Sequence, residues 1–469
     1  MKKKLLAIFL TCTLATTSLV GCGGDTAGAG DSSSEVETSD SSAASDAESG
    51  EAIESSGSEE KEPVTITFWN GWTGPDGELL KELVNDYNEK NQDNVTVEMD
   101  IMEFSSLTEK MATALASGTN PNLHLGFATG EYAIDGQYIP IDDIFDNTDL
   151  DKSDFDEGIL ANCYYDGKLY GLPFQLTCTY LFWNKDLFEQ AGLDPDTPPS
   201  TWEEVAEYSA KIDALGGNII GGGYSFNDSV MLGCMMKGFG GNVVADDGNG
   251  SYRACLTDSE YIEGNKKALQ TVYDFTKQSS NNTYTGTDYE ASFMAGTCGM
   301  LTAGAWELAG CKNNNLNYGV SLLPAGSEGI KMSTWPISLC VMKGTEGREL
   351  EACYSFMEYW NDNIHNKITE ESPAFRWTKQ QGYQPYLLSV ASDERLTGDP
   401  DYQVTSSYIE YYDNYYVSSF WNSYNLGSLI LAPLAENVVY ETMSIDEALA
   451  NAQSELEVMI EEMQAKENK

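Results

Sequence analysis

Histidine is nearly absent from this chain: His124 and His365 are the two in 469 residues. Ser-His-Asp triads, histidine general bases and His-type zinc sites therefore have almost nothing to be built from. Basic residues are scarce as well, with 26 Lys and Arg against 74 Asp and Glu and a net charge of −48. That field excludes nucleic acid and anionic membrane as partners and favours a neutral or cationic ligand, although its plainest reading is solubility. None of the ten cysteines has a partner at C-x-x-C spacing, so zinc ribbons and thioredoxin chemistry are unsupported. No P-loop or dinucleotide fingerprint is present, and Gly221-Gly222-Gly223 reads as loop. With so many acids, a glycosidase-like carboxylate pair is indistinguishable from surface charge. No cofactor or metal is expected, and no internal repeat is evident.

What is there divides into a leader, a tether and a long folded part. Lys2-Lys3-Lys4 precedes an apolar run, Leu5 to Val20, interrupted by threonines and a serine. The run is short for a membrane span and has the form of a signal h-region. It ends in Leu19-Val20-Gly21-Cys22, similar to a bacterial lipobox, which implies a signal peptide over 1–21 and lipidation of Cys22. Residues 22–62 are Ser, Gly, Ala and acids with almost no apolar content, too little to offset ordering entropy, and are expected to be a disordered tether. Its reach is about 35 Å if flexible. Removing leader and tether leaves a charge of about −40 on the rest. That remainder is too long for one ordinary core and suggests two lobes. Of its eight cysteines several sit among apolar neighbours, as free buried thiols would; disulfides stay open.

From Pro63 the hydrophobic pattern predicts strands at Val64–Phe68, Val95–Ile101 and Leu123–Ala128, alternating with helices at Pro75–Asn91 and Ser105–Ser117. That order implies a parallel sheet, with ligands bound beyond the carboxyl ends of its strands. Tyr164 to Tyr170 reads as a hairpin turning at Asp166-Gly167, and Gly171-Leu172-Pro173 as the stop to its ladder. Phe174 to Trp183 is a long extended run rich in Thr, Tyr, Phe and Trp, followed by a helix capped at Asn184 and ended at Gly192. Its length suggests a chain crossing between two sheets. A capping box is expected at Ser200–Glu203, a short strand at Asn218 to Tyr224, and a second box at Ser444–Glu447 opening an amphipathic C-terminal helix.

The segments YDGKLYGLPF and NKDLFEQAGLDPDTPPSTWEEV resemble the family 1 extracellular solute-binding proteins, the maltose-binding-protein-like sugar-binding lipoproteins of ABC importers. The resemblance runs from about Pro63 to Lys469. It departs from the family pattern at Thr297, Cys298 and Gly299. It implies an α/β, two-lobed periplasmic-binding-protein-like (type II) fold. Hinge crossings would follow Pro173, at Thr334-Trp335-Pro336 and at Gly382–Pro385. Lobe 1 would be 63–175 plus 335–388, and lobe 2 would be 176–334 plus 389–469. It further implies a carbohydrate ligand, ABC permease subunits as partners, no catalysis, and a monomer held to the outer face of the membrane only by the lipid.

Sugars present flat C–H faces to aromatic rings and hydroxyls to fixed polar groups. Trp72, in a Gly-flanked loop at a strand end, is a candidate for stacking or for core. Phe127 lies at the next strand mouth. Asn70, Glu131 and Gln175 are candidate hydroxyl partners or plain loop residues. By resemblance Trp306 and Trp421 occupy sugar-stacking positions, and Trp335 a crossing. Trp69, Trp183, Trp202, Trp360 and Trp377 read as core, and His124 as structural. Tyr411-Tyr412 and Tyr415-Tyr416 admit a ferric site, and the acidic field a polyamine. An extracellular glycoside hydrolase and a surface adhesin stand as alternatives from other classes.

Overall fold

The computed structural model describes residues 61–224, 229–246, 252–278, 286–411 and 426–467. Residues 1–60, which hold the leader, Cys22 and all but the last two residues of the tether, and Phe420-Trp421 lie outside the described residues, as do Tyr412, Tyr415 and Tyr416. The strands are β1 (Val64–Asn70), β2 (Val95–Ile101), β3 (Leu123–Gly126), β4 (Tyr164–Tyr165), β5 (Lys168–Leu169), β6 (Gly171–Asn184), β7 (Val244–Asp246), β8 (Tyr252–Ala254), β9 (Met300–Gly304), β10 (Tyr318–Ser321) and β11 (Thr334–Val341). β1 pairs in parallel with β2 and β3, as the alternating pattern predicts. The helices Pro75–Lys90 and Phe104–Ser117 connect these strands.

The organising element is β6, 14 residues long and buried throughout. Its first half, Gly171 to Cys178, pairs antiparallel with β11. Its second half, Thr179 to Asn184, pairs antiparallel with β9 and β10. One half of the sheet, ordered β2-β1-β3-β11, thus meets the other along a single shared strand. The architecture is two-lobed α/β, and β6 is the strand that the two halves of the sheet share.

Three local expectations shift. Pro173 does not keep the chain out of a ladder: β4–β5 ends at Leu169, but β6 begins at Gly171 and includes Pro173 opposite Ser338. The register slips between Ile337 and Ser338, an irregularity that accommodates a residue with no N–H to donate. The helix Trp202–Asp213 is capped one residue later than the box predicts, by Thr201, whose Oγ1 accepts from the Glu204 N–H at 3.2 Å. Glu204 reaches back to the Ser200 N–H (2.6 Å) and Oγ (2.7 Å). Asn218–Tyr224 makes only isolated parallel bridges, Ile220 to Cys298 and Gly223 to Leu301. Gly221 presses against neighbouring backbone: a Cβ there would lie 2.0 Å from the Ser209 carbonyl oxygen.

Elsewhere the caps are as expected. Asn184 Oδ1 accepts from the N–H groups of Asp186 and Leu187. Ser444 and Glu447 exchange the two bonds of a capping box, and Ala448, Leu449, Ala452, Leu456 and Ile460 of the helix Ile445–Glu467 are all buried. Trp183, Trp202, Trp360 and Trp377 are core. Trp69 is not: it is half-buried, with the Lys110 ammonium 3.7 Å from its ring centroid. Cys163, Cys178, Cys234, Cys255, Cys298, Cys311, Cys340 and Cys353 are free and buried. Burial holds thiols such as Cys163 and Cys178 up near 12, so they are inert small hydrophobes rather than nucleophiles. No described helix is long and apolar enough to cross a membrane.

Candidate functional site

At the carboxyl end of β1, Asn70 is wholly enclosed, and its Oδ1 accepts the Trp72 N–H at 3.1 Å. This bond turns the chain back toward the helix Pro75–Lys90. The turn is so close that a Cβ on Gly77 would fall 2.0 Å from the Trp72 carbonyl oxygen. In the first helical turn, Asp76 accepts from the Gly77 N–H at 2.8 Å and, more loosely, from the Tyr383 hydroxyl at 3.4 Å. Burial holds the Asp76 carboxyl above the usual carboxylate range, against the pull of those hydrogen bonds.

Beneath this loop lies an aromatic wall. Trp72, half-buried, meets Phe174 edge-on at 6.3 Å, and Phe174 stacks on Trp360 at 3.9 Å. Trp377 meets Phe174 edge-on at 5.4 Å and lies nearly parallel to Tyr383. The wall fixes Gln175: its Oε1 accepts the Trp377 indole N–H at 3.1 Å, and its Nε2 donates to Thr177 Oγ1 at 3.3 Å. Gln175 is therefore buried and directed, in the first half of β6.

On the other lobe β9 ends at Gly304, and Trp306 folds over it. A Cβ on Gly304 would sit 1.9 Å from the half-buried ring, so only glycine allows this placement. The Trp306 indole N–H donates to Glu290 Oε1 at 3.2 Å. Glu307 is buried beside it and is pushed up to about 8, first by burial and then by the Glu290 charge. The two sides touch: a Cβ on Gly382 would lie 3.1 Å from the Ala305 carbonyl oxygen and 2.6 Å from Leu308. The Trp306 loop thus abuts the turn that carries Tyr383.

The constellation offers aromatic surface, fixed amides and carboxyl groups. That is the chemistry of polyhydroxyl recognition, and the Glu290 charge opposes an anion. Among the described residues no group of three or more His, Cys, Asp and Glu is placed to hold a metal ion. His124 is structural: it is buried, held down near 4 by burial, with Nδ1 2.7 Å from the Tyr138 hydroxyl.

The sequence candidates fall in different places. Trp72 and Gln175 flank the Phe174–Trp377 wall, and Trp306 lies on the loop after β9 whose Ala305 abuts Gly382. Asn70 lies beneath Trp72. Phe127 follows β3, half-buried, and packs against the core. Glu131 begins the short helix Glu131–Ile134, and Trp335 lies on β11 opposite Thr177. Asp76, Tyr383, Glu290 and Glu307 escaped the sequence reading. Asp76 was legible in principle, as the acid just after the helix-opening Pro75 that follows Trp72. Glu290 and Glu307 were lost among the many acids.

Residues 82–404 match the family described as bacterial extracellular solute-binding protein. A sn-glycerol-3-phosphate-binding periplasmic protein of Brucella melitensis is 26% identical over 359 residues, spanning 72% of this chain and 78% of the relative. A solute-binding protein of an ABC transporter from Thermotoga lettingae, solved with α-D-tagatose, superposes with a TM-score of 0.71. It is 20% identical and covers 84% of this chain and 99% of its own. The GacH receptor of Streptomyces glaucescens, solved with and without acarbose, also reaches 0.71 at 20% identity, covering 86% of this chain and 99% of its own.

Proposed function

Because this chain belongs to the bacterial extracellular solute-binding proteins, we propose that it captures a neutral carbohydrate, an oligosaccharide, between its lobes. It delivers that ligand to the permease of an ABC importer. The observation that carries the reading is the convergence of Trp72, Gln175 and Trp306 on the two sides of β6. Aromatic faces from both lobes and a directed amide meet at the crossing. A ligand that bridges both sides stabilises the lobe arrangement in which they meet, and only such differential contact can drive closure. The sugar ligands of the two solved neighbours support this choice, and the Glu290 charge beside Trp306 weighs against a phosphate-bearing ligand such as that of the Brucella relative.

Lobe 1 is taken as 63–175 plus 335–388 and lobe 2 as 176–334 plus 389–469, with the β6 switch from one partner set to the other as support. Trp335 and Trp421 complete the proposed aromatic set, with Phe127 and Glu131 at the rim. The chain works as a monomer tethered through lipid on Cys22, and it performs no catalysis.

The test is thermal shift of the chain from Glu62 onward against neutral oligosaccharides, glycerol 3-phosphate, spermidine and ferric ion. A ligand at 100 times its Kd adds about 2.7 kcal/mol. A shift with one oligosaccharide class is the expected result. A shift with glycerol 3-phosphate or spermidine alone replaces the ligand, and turnover of the oligosaccharide overturns the binding-protein reading.

A further inference from the structure

The Trp306 ring is held along two edges. Its benzene edge lies over Gly304, where a Cβ would fall 1.9 Å from the ring carbon Cζ3. Its pyrrole edge meets carboxyl groups: the indole N–H donates to Glu290 Oε1 at 3.2 Å, and the same N–H faces the Glu307 carboxyl. Indole has one proton to donate and no acceptor, so it satisfies one carboxylate and not two. Glu307 is only 6% exposed, which leaves little water to make up the difference. A Cβ on Gly310 would stand 3.6 Å from Glu307 Oε2 and 3.0 Å from Met294 Cε, so the carboxyl shares its place with backbone and a methionine.

No cation among the described residues pairs with Glu307. Lys312, on the same helix Glu307–Asn313, is turned to Asp399 and Asp401. From the helix Pro373–Gln381, which packs against it, Arg376 pairs with Glu82 and Asp86, and Lys379 with Glu371. The helix Gly286–Met294 contributes the Glu290 charge, and Cys311 a thiol that burial itself pushes up to about 12. Two carboxyl groups that face one N–H, with no cation between them, are better served by keeping one proton than by losing both. Burial first and the Glu290 charge second keep that proton on Glu307 up to about 8.

We propose that Glu290 and Glu307 are positioning residues for Trp306, and that they seat its ring over Gly304 only while the pair retains one proton. This rests on the reading of Trp306 as a saccharide-facing residue and adds pH control to it. With the proton in place Glu307 is neutral, the indole N–H belongs to Glu290, and the ring stays seated. Once the proton leaves, two like charges flank a single donor. They part, and the pyrrole edge loses its anchor. A neutral sugar has no titrating group of its own, so the resulting weakening of capture in alkaline medium belongs to the protein.

The experiment uses the full chain, purified in detergent and labelled with 5-fluorotryptophan. Nine tryptophans give nine fluorine NMR signals, and Trp306→Phe identifies one of them by its loss. Without any ligand, the Trp306 signal is expected to shift with a midpoint near pH 8. It is expected to stay fixed in Glu307→Gln, and to shift at lower pH in Glu290→Gln, which removes the neighbouring charge. Affinities for maltotriose and mannotriose are then measured at pH 6.5 and 9. The wild type is expected to bind about fivefold more weakly at the higher pH, the low end of ordinary coupling between two sites. Glu307→Gln, neutral throughout, is expected to bind equally at both. If that variant does not fold, the midpoint in Glu290→Gln decides. A Trp306 signal that does not titrate, or a midpoint that Glu290→Gln leaves unmoved, overturns the proposal. So does a wild-type affinity equal at the two pH values, because Trp306 then keeps its place without the proton. If neither trisaccharide binds while the signal titrates as expected, the pair still positions Trp306 and the carbohydrate reading is what falls.

Discussion

The indole N–H of Trp377 donates to Gln175 Oε1 at 3.1 Å, tying the helix Pro373–Gln381 to the first half of β6. The bond is buried at both ends. Trp377→Phe retains most of the ring packing but leaves the Gln175 oxygen unpaired, which costs about 1–3 kcal/mol. Urea titration of the variant measures it. Trp377→Phe combined with Gln175→Leu is expected to recover part of the loss, since both polar partners are then gone. A double variant less stable than Trp377→Phe would show that the bond is not what the single variant removes.

Trp306 and Trp377 separate binding from stability. Trp306 is half-buried over Gly304, whereas Trp377 is enclosed. Trp306→Ala is expected to weaken saccharide binding while shifting the melting temperature little. Trp377→Ala is expected to lose about 3–5 kcal/mol of stability, as deletion of a buried large aromatic does. Isothermal titration beside calorimetric melting reads both quantities, and similar stability losses in the two variants would return Trp306 to the core.

Glu307 gives a pH signature of known sign. Its folded-state value, about 8, lies above the ordinary 4.5, so between those values the folded state holds a proton that the unfolded chain has released. The associated stability is complete below 4.5 and is lost as pH rises through about 8. Glu307→Gln is expected to flatten that decline. Urea midpoints at pH 5 and pH 8 give the slope, and an identical slope in wild type and variant would mean Glu307 is ionised in the fold.

His124 acts in the opposite direction. Burial holds it near 4 against an ordinary 6.5, so in that window the unfolded chain binds the extra proton. Its contribution is present above 6.5 and is lost as pH falls through 4. His124→Phe with Tyr138→Phe removes the titrating ring and its hydroxyl partner together. The melting temperature of this pair is expected to fall less between pH 6.5 and 4 than that of the wild type.

Much of the fold was legible because its elements are locally consistent. The aromatic and threonine-rich run around Tyr180, the Asn184 cap and the glycine at 192 all agree with the structure they adopt. Where a residue answers to a distant neighbour, the local pattern misleads. Pro173 sits inside β6, where the pairing with β11 skips the neighbouring Phe174, and Gly221 lies so close to the Ser209 carbonyl that no side chain fits there. The candidate site was half legible. Trp72 and Trp306 stand out as tryptophans beside glycines at strand ends. Tyr383 falls in the Gly382–Pro385 segment that the resemblance marks as a crossing, but its bond to Asp76, like the Glu290 charge beside Glu307, joins residues far apart or lost among many acids, and no spacing rule reaches them.

The two ladders on β6 meet without a gap: Cys178 is the last residue paired to β11, and Thr179 is the first paired to β9. Between the lobes this strand therefore has no slack. Any change in their angle has to be taken up as bending and twist of a peptide run clamped on both sides, in the manner of a leaf spring rather than a loose pin. Such a joint resists translation and permits rotation about a narrow axis.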